Sequence, residues 1–246
     1  MLDEKPSILI GVLGGMGPAA TVDFVAKLIA ATHAARDQDH IPLTIWSNPR
    51  IPNRNEALQV PGAPSPLPHL IYGVRQLEAQ GASFIAIACN TAHHWHGEMQ
   101  AAVSIPILHI ADVAIAAMRA AGLKAGDAIG LMCSDGTLAS GYYDARLDAA
   151  GFKTLRPTAA MQQRMMGCIY AVKEGKLDLA KDLALEVAGD FLAMGARNLL
   201  LACTELPIAL GEAEMARLPC LDVTSAFADA CVRHALALER QNQGVA

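Results

Sequence analysis

IAIACNTAHH, residues Ile85 to His94, decides how the rest of the chain is read. Phe84 to Ala88 is an apolar run, long enough for a buried strand and too short to be assigned as a helix from periodicity. Cys89 ends the run, and Asn90 and Thr91 are polar residues of the kind that cap a helix N-terminus. The cysteine is therefore expected where a strand hands over to a helix, the place in an α/β sheet where ligands collect. A second stretch repeats the pattern. QLEAQGASFIAIACNT (Gln76 to Thr91) lies over DFLAMGARNLLLACTE (Asp190 to Glu205) without a gap, setting Gly81 on Gly195 and Cys89 on Cys203. IPILHI (Ile105 to Ile110) resembles LPCLDV (Leu218 to Val223), and GVLGGMGP (Gly11 to Pro18) faces GLMCSDGT (Gly130 to Thr137). One α/β unit used twice is the economical reading. It predicts two similar, pseudo-symmetric α/β lobes with mainly parallel sheets and a cleft between them, one cysteine turn on each wall. The expected division is 1–113 for the N-terminal lobe, joined by the C-terminal helix 225–246, and 114–224 for the C-terminal lobe.

Composition narrows the class. Hydrophobic residues make up 53% of the 246 and charged ones 17%, which describes a folded chain with a sizeable core. The net charge of -5 with no basic run argues against nucleic acid as a partner. No apolar stretch reaches the roughly 18 residues of a membrane span. The first residues, MLDEKPSILIGVLGG, lack the basic and unbroken apolar regions of a signal peptide. Six cysteines without a CxxC pair favour reduced thiols, and the expected compartment is the cytoplasm.

Along the chain, Ser7 to Leu13 reads as the first strand and Ala19 to Ala35 as the helix after a glycine turn. Gly15, Gly17 and Ala20 have the GxGxxA spacing of a dinucleotide-binding turn. The next strand, Leu43 to Trp46, ends in Ser47, Asn48, Pro49 and Arg50, without the acid that would hold a ribose. The turn is expected to hold a small anion instead. Asn48 to Glu56 reads as a loop whose arginines, Arg50 and Arg54, border the crevice. Position favours Arg50 as the carboxylate contact, two solvated charges being the plain alternative. Val60 to Pro68 reads as a proline-rich surface excursion, and Pro106 to Ile110 as a strand. In the second half, Ser134 and Thr137 offer hydroxyls, and Leu138 to Ala150 reads as one helix. His93, His94 and His96 do not share a helix face and have no fourth ligand at suitable spacing, so no metal site is expected. They are read as solvated or packing histidines that add positive potential near Cys89.

A thiol with an ordinary pKa near 8.5 is only a few per cent thiolate at neutral pH, and a helix N-terminus favours the anion. Two such groups facing each other allow proton abstraction on one side of a carbon and donation on the other, which inverts a stereocentre. Asn90, Thr91, Thr204 and the glycine turns are candidates to stabilise charge on the substrate carboxylate. The plain alternative is that free cysteines are buried small hydrophobes. It is accepted for Cys133, Cys168, Cys220 and Cys231, whereas the matched placement of Cys89 and Cys203 sets that pair apart.

LGGMGPAAT (Leu13 to Thr21), DQDHIP (Asp37 to Pro42), PRIPNR (Pro49 to Arg54), ACNTAH (Ala88 to His93), ILHIAD (Ile107 to Asp112), GTLASGYY (Gly136 to Tyr143) and ACTELP (Ala202 to Pro207) together resemble the aspartate/glutamate racemase superfamily, in particular its cofactor-independent, aspartate-racemase-like branch. The resemblance implies no PLP, no metal, a two-thiol mechanism with Cys89 and Cys203 as the acid–base pair, and often a homodimer. It implies that Met16, Asn90, Thr91 and Thr204 line an amino-acid substrate and that Arg50 binds a carboxylate. Ser134, Arg164 and Glu205 complete the candidate contacts. Three departures bear on strict aspartate specificity: Asn53 and Asn55 replace a frequent acid and threonine, Cys133-Ser134 replaces a small residue and threonine, and Arg164 stands where a lysine is common. The expected activity is racemisation of aspartate or glutamate. Its rivals are a related isomerase acting on another carboxylate or amino acid, a two-lobed carboxylate-binding protein, and a thiol redox protein.

Overall fold

A computed structural model describes residues 8–243, so Ser7 and the last three residues of the expected C-terminal helix lie outside it. Two separate parallel sheets form the framework. In the first, β1 (Ile10–Gly14) is central, with β2 (Leu43–Ser47) on one side and β3 (Phe84–Ile87) on the other. In the second, β4 (Ala128–Cys133) is flanked by β5 (Lys153–Leu155) and β6 (Asn198–Ala202), and β7 (Cys220–Asp222) lies beyond β6. The repeat seen in the sequence is a repeat of strand register. Gly11 is paired with Ile85 and Gly130 with Leu199; Ile85 is bridged to Ile107 and Leu199 is paired with Cys220. Ile85 N–H donates to Pro106 O and Leu199 N–H to Pro219 O, both at 2.8 Å. Gly81 and Gly195, at the matched turns before β3 and β6, share a left-handed φ of 89° and 90°.

β1 and β3 are buried at every residue, which is why they read as unbroken apolar runs rather than alternating ones. The outer face of the first sheet is covered by α3 (Leu67–Ala79), through Leu70, Val74 and Leu77. The outer face of the second is covered by α8 (Ala159–Lys173), α9 (Leu177–Ala193) and α10 (Leu206–Met215). Both inner faces feed one cluster. Val12, Phe84 and Ala86 meet Ile129, Leu131 and Cys133 there, together with side chains of α1 (Pro18–Ala31), α5 (Ile110–Ala120), α7 (Tyr142–Ala149) and α11 (Val223–Gln243). α11, the last helix of the second half, packs back on α1 and α5, with Phe24 and Phe227 stacked at 5.5 Å. Ile8 shares one pocket with Leu236 and Glu239, so the start of the described chain lies beside the later turns of α11.

Several elements differ from the sequence reading. The first helix stops at Ala31 instead of Ala35, just before His33, whose φ is 50°. The expected loop 48–56 turns into α2 (Arg54–Gln59), because the Asn53 side chain accepts from Asn55 N–H at 3.0 Å and caps it. The proline-rich excursion gives way to α3 at Leu67, since Pro68 fits a first helical turn. The strand expected at Pro106 to Ile110 shrinks to the bridge at Ile107, because the His109 ring accepts from Ala111 N–H and starts α5. The helix expected from Leu138 to Ala150 is two, α6 (Asp135–Ser140) and α7, broken at Gly141, whose φ of 66° no continuous helix tolerates. The boundary expected at 113/114 falls inside α5, so the two sheets are joined by the exposed stretch 121–126 after it.

Candidate active site

Parallel strands end on one side of a sheet, and the two cysteine turns occupy matched ends. Cys89 follows β3 and Cys203 follows β6. The packing of the two inner faces brings both turns to one cavity. Each cysteine is nearly enclosed, 5% and 8% exposed. Met16, Asn90, Thr91, Ser134, Thr204 and Glu205 also line this cavity, so eight of the ten expected site residues are brought together.

The polar residues after the cysteines do different work from the capping expected of them. Behind Cys89 stands a 3₁₀ turn (Thr91–Trp95) leading into the short α4 (His96–Gln100), and the Asn90 side chain makes no cap bond. Its Oδ1 accepts from the Tyr143 hydroxyl at 2.7 Å, and its main-chain oxygen accepts from the Tyr142 hydroxyl at 2.9 Å. Thr91 Oγ1 lies 2.9 Å from both Ser134 Oγ and Thr137 Oγ1. Gly136 N–H donates to Asn55 Oδ1 at 2.9 Å. All these bonds join the first half of the chain to the second.

Around Cys203 the surroundings are charged. Its Sγ–H donates to Glu205 Oε2 at 3.1 Å, Thr204 Oγ1 donates to the same oxygen at 3.2 Å, and Glu205 Oε1 faces Lys173 Nζ at 3.9 Å. Burial, and then the negative charge and hydrogen bond of Glu205, hold the Cys203 thiol well above its ordinary value. Cys203 is therefore held as the protonated thiol at neutral pH. His93 anchors the other turn, its Nδ1 2.9 Å from Cys89 O, and its ring centroid is 5.1 Å from that of His109. Burial, and then neighbouring charge, lowers both rings to about 3, so both are neutral and His93 supplies none of the positive potential expected of it near Cys89. Among the described residues no group of three or more His, Cys, Asp or Glu side chains is placed to hold a metal ion.

Two expected contacts are not in the cavity. Arg50 is exposed, its main-chain N–H donating to Asn48 Oδ1, because the chain turns inward only at the buried Ile51. The arginine that arrives is Arg54, on the first turn of α2. It donates from Nη1 to Ile51 O and Pro52 O and from Nη2 to Met16 O, while its buried Nε finds no partner among the described residues. Arg164 points to α9 instead, paired with Asp190 and Glu186. It lies nine residues before Lys173, about two and a half turns along α8, hence on the opposite face. Lys173 and Ile169, one turn apart, face the cavity. Nothing in the periodicity of α8 tells which face meets the other half. The Asn53 cap was the legible signal for Arg54. In the glycine turn, the Gly15 N–H expected to cradle an anion is donated to Thr21 Oγ1 at 2.8 Å.

The whole chain has relatives. The broad specificity amino-acid racemase RacX of Bacillus subtilis (strain 168) is 28% identical over 242 residues, 94% of this chain and 100% of the relative. The aspartate racemase structure from Picrophilus torridus superposes with a TM-score of 0.82 at 32% identity, covering 93% of this chain and 94% of that one. Glutamate racemase from Francisella tularensis in complex with D-glutamate has the same fold, with a TM-score of 0.68 at 17% identity over 96% and 83% of the two chains. The Asp/Glu/Hydantoin racemase model matches residues 13–231, and the chain belongs to that family.

Proposed function

We propose that this isomerase racemises aspartate or glutamate without PLP or metal, using Cys89 and Cys203 as opposed acid and base. The observation that carries the reading is the meeting of two strand-end cysteines in one cavity that also holds Arg54 and Lys173. Two cations suit a substrate with two carboxylates. In one turnover the Cys89 thiolate takes the Cα proton, and Cys203 gives its S–H proton to the opposite face of the planar carbanion. The product leaves with Cys89 as thiol and Cys203 as thiolate, and the mirror-image substrate runs the steps in reverse. Negative charge passing from Cα to the α-carboxylate is met by preorganised N–H and O–H donors.

A broader amino-acid range is the second reading. Three of the five donors of Arg54 are already spent on main-chain carbonyls, which weakens it as a selective clamp for a second carboxylate. The test is incubation of dialysed, EDTA- and hydroxylamine-treated protein with L- and D-amino acids in deuterium oxide, reading exchange at Cα by NMR. Exchange of both enantiomers of aspartate or glutamate is expected. Exchange confined to neutral amino acids moves the assignment to the broader reading, and dependence on added PLP or metal sinks the two-thiol mechanism.

A further inference from the structure

Asn90 follows Cys89 directly, is 3% exposed and lines the cavity. Both of its oxygens are occupied by consecutive tyrosines at the start of α7, which belongs to the other half of the chain. Its amide nitrogen is buried and has no partner among the described residues. Buried N–H donors are rarely left so in native structures, and one on a residue that lines a cavity points to a ligand. A side-chain amide fits the same space turned end for end, with oxygen and nitrogen exchanged. With Oδ1 toward the cavity, Asn90 would repel an anion; with Nδ2 toward it, the same residue donates. Burial raises the Tyr143 hydroxyl well above its ordinary value, so it keeps the proton that it gives to Oδ1. Tyr142 meanwhile holds the main chain of Asn90, so the side chain turns about a fixed base.

We propose that Tyr143 is a positioning residue: its hydroxyl pins Oδ1 of Asn90 so that the Nδ2 donors of Asn90 are presented to a carboxylate of the substrate. This rests on the carboxylate-binding racemase reading of the cavity. The donor belongs to the first half and its orientation is set from the second, so carboxylate recognition depends on the docking of the halves.

The experiment is a double-mutant cycle on kcat/KM, measured for the amino acid that the wild type exchanges fastest, with wild type, Tyr143→Phe, Asn90→Ala and the double variant. Tyr143→Phe keeps the ring in the core and is expected to lose tenfold or more in kcat/KM while melting within a few degrees of wild type. In the Asn90→Ala background it should change kcat/KM by less than about twofold, because its route of action is gone. Losses that multiply independently, or a Tyr143→Phe variant at wild-type rate, overturn the proposal. A second readout needs no turnover and is made on the wild-type protein. The side-chain ¹⁵N amide signal of Asn90, assigned by its loss in Asn90→Ala, should shift when wild-type protein is titrated with malonate, a dicarboxylate with no stereocentre. Absence of a shift at saturating malonate overturns the proposal. A wild type that shifts with malonate but exchanges no amino acid keeps the orientation of Asn90 and removes the racemase reading.

Discussion

Glu205 shows what one side chain does to the chemistry of its neighbour. Its carboxylate accepts the Cys203 proton and, after burial, is what keeps that thiol protonated. A two-thiol racemase needs one sulfur charged and the other protonated, so kcat/KM falls at alkaline pH when the protonated one is lost. Removing the negative charge lowers the Cys203 pKa, and Glu205→Gln should move the alkaline limb of the profile to lower pH. An unmoved limb would mean that Cys203 is not the group titrating there. The two arginines make a second contrast. Arg54→Ala should cost about 2 kcal/mol or more of transition-state binding, roughly 30-fold in kcat/KM. Arg50→Ala, on an exposed turn, should stay within about twofold; the reverse order would return the carboxylate contact to Arg50. Both cysteines were legible from position in a repeated pattern, because strand ends recur with the repeat. The choice between Arg50 and Arg54 depended on which residue after Pro49 faces inward, and that is decided by Ile51 entering the core.

Among the elements, the 3₁₀ turn after β3 and the N-terminus of α5 are bound by a histidine cluster. The ring centroids of His93 and His109 are 5.1 Å apart, and those of His96 and His109 are 4.8 Å apart. His93 and His109 are buried neutral, with pKa values lowered from 6.5 to about 3. The unfolded chain therefore binds protons below pH 6.5 that the folded one refuses until about pH 3. Their contribution is intact above pH 6.5 and is lost as the pH falls through that window, by up to about 1.4 kcal/mol per unit for each ring. Urea midpoints should drop between pH 6.5 and 4, and His93→Asn should flatten that drop. A variant whose midpoints run parallel to wild type would show that His93 is not the proton-linked group. The sequence gives no warning of this cluster, since His109 is thirteen or more residues from its partners and is brought to them where Ile107 bridges Ile85 and its main-chain oxygen faces the His96 ring at 2.8 Å. The breaks at Gly141 and Ala31 were likewise hidden. Both flanks of Gly141 are helix-forming, and only the left-handed backbone of the glycine separates them.

At the scale of the whole molecule, the duplicated strand order was readable because parallel buried strands leave contiguous apolar runs, and the matched glycines mark their turns. What the repeat conceals is that the halves share a core, besides the cluster that each keeps on the outer face of its own sheet. Strands of both sheets and helices α1, α5, α7 and α11 pack into one cluster. Residues 1–113 or 114–246 made alone would expose that cluster, so neither should unfold cooperatively in denaturant. A cooperative transition from either half would show two domains in place of two repeats. The adjacency of Ile8 to Leu236 and Glu239 bears on how that shared core is strung together. Where the first strand starts beside the last helix, the order in which the two repeats are strung is a matter of convenience. A circular permutant with the old ends joined by a linker of about ten residues, and new ends opened beside the exposed Lys124, should retain both the fold and the cavity. In that rearranged order the Cys203 repeat would be synthesised before the Cys89 repeat, and the finished cavity would carry no record of which came first.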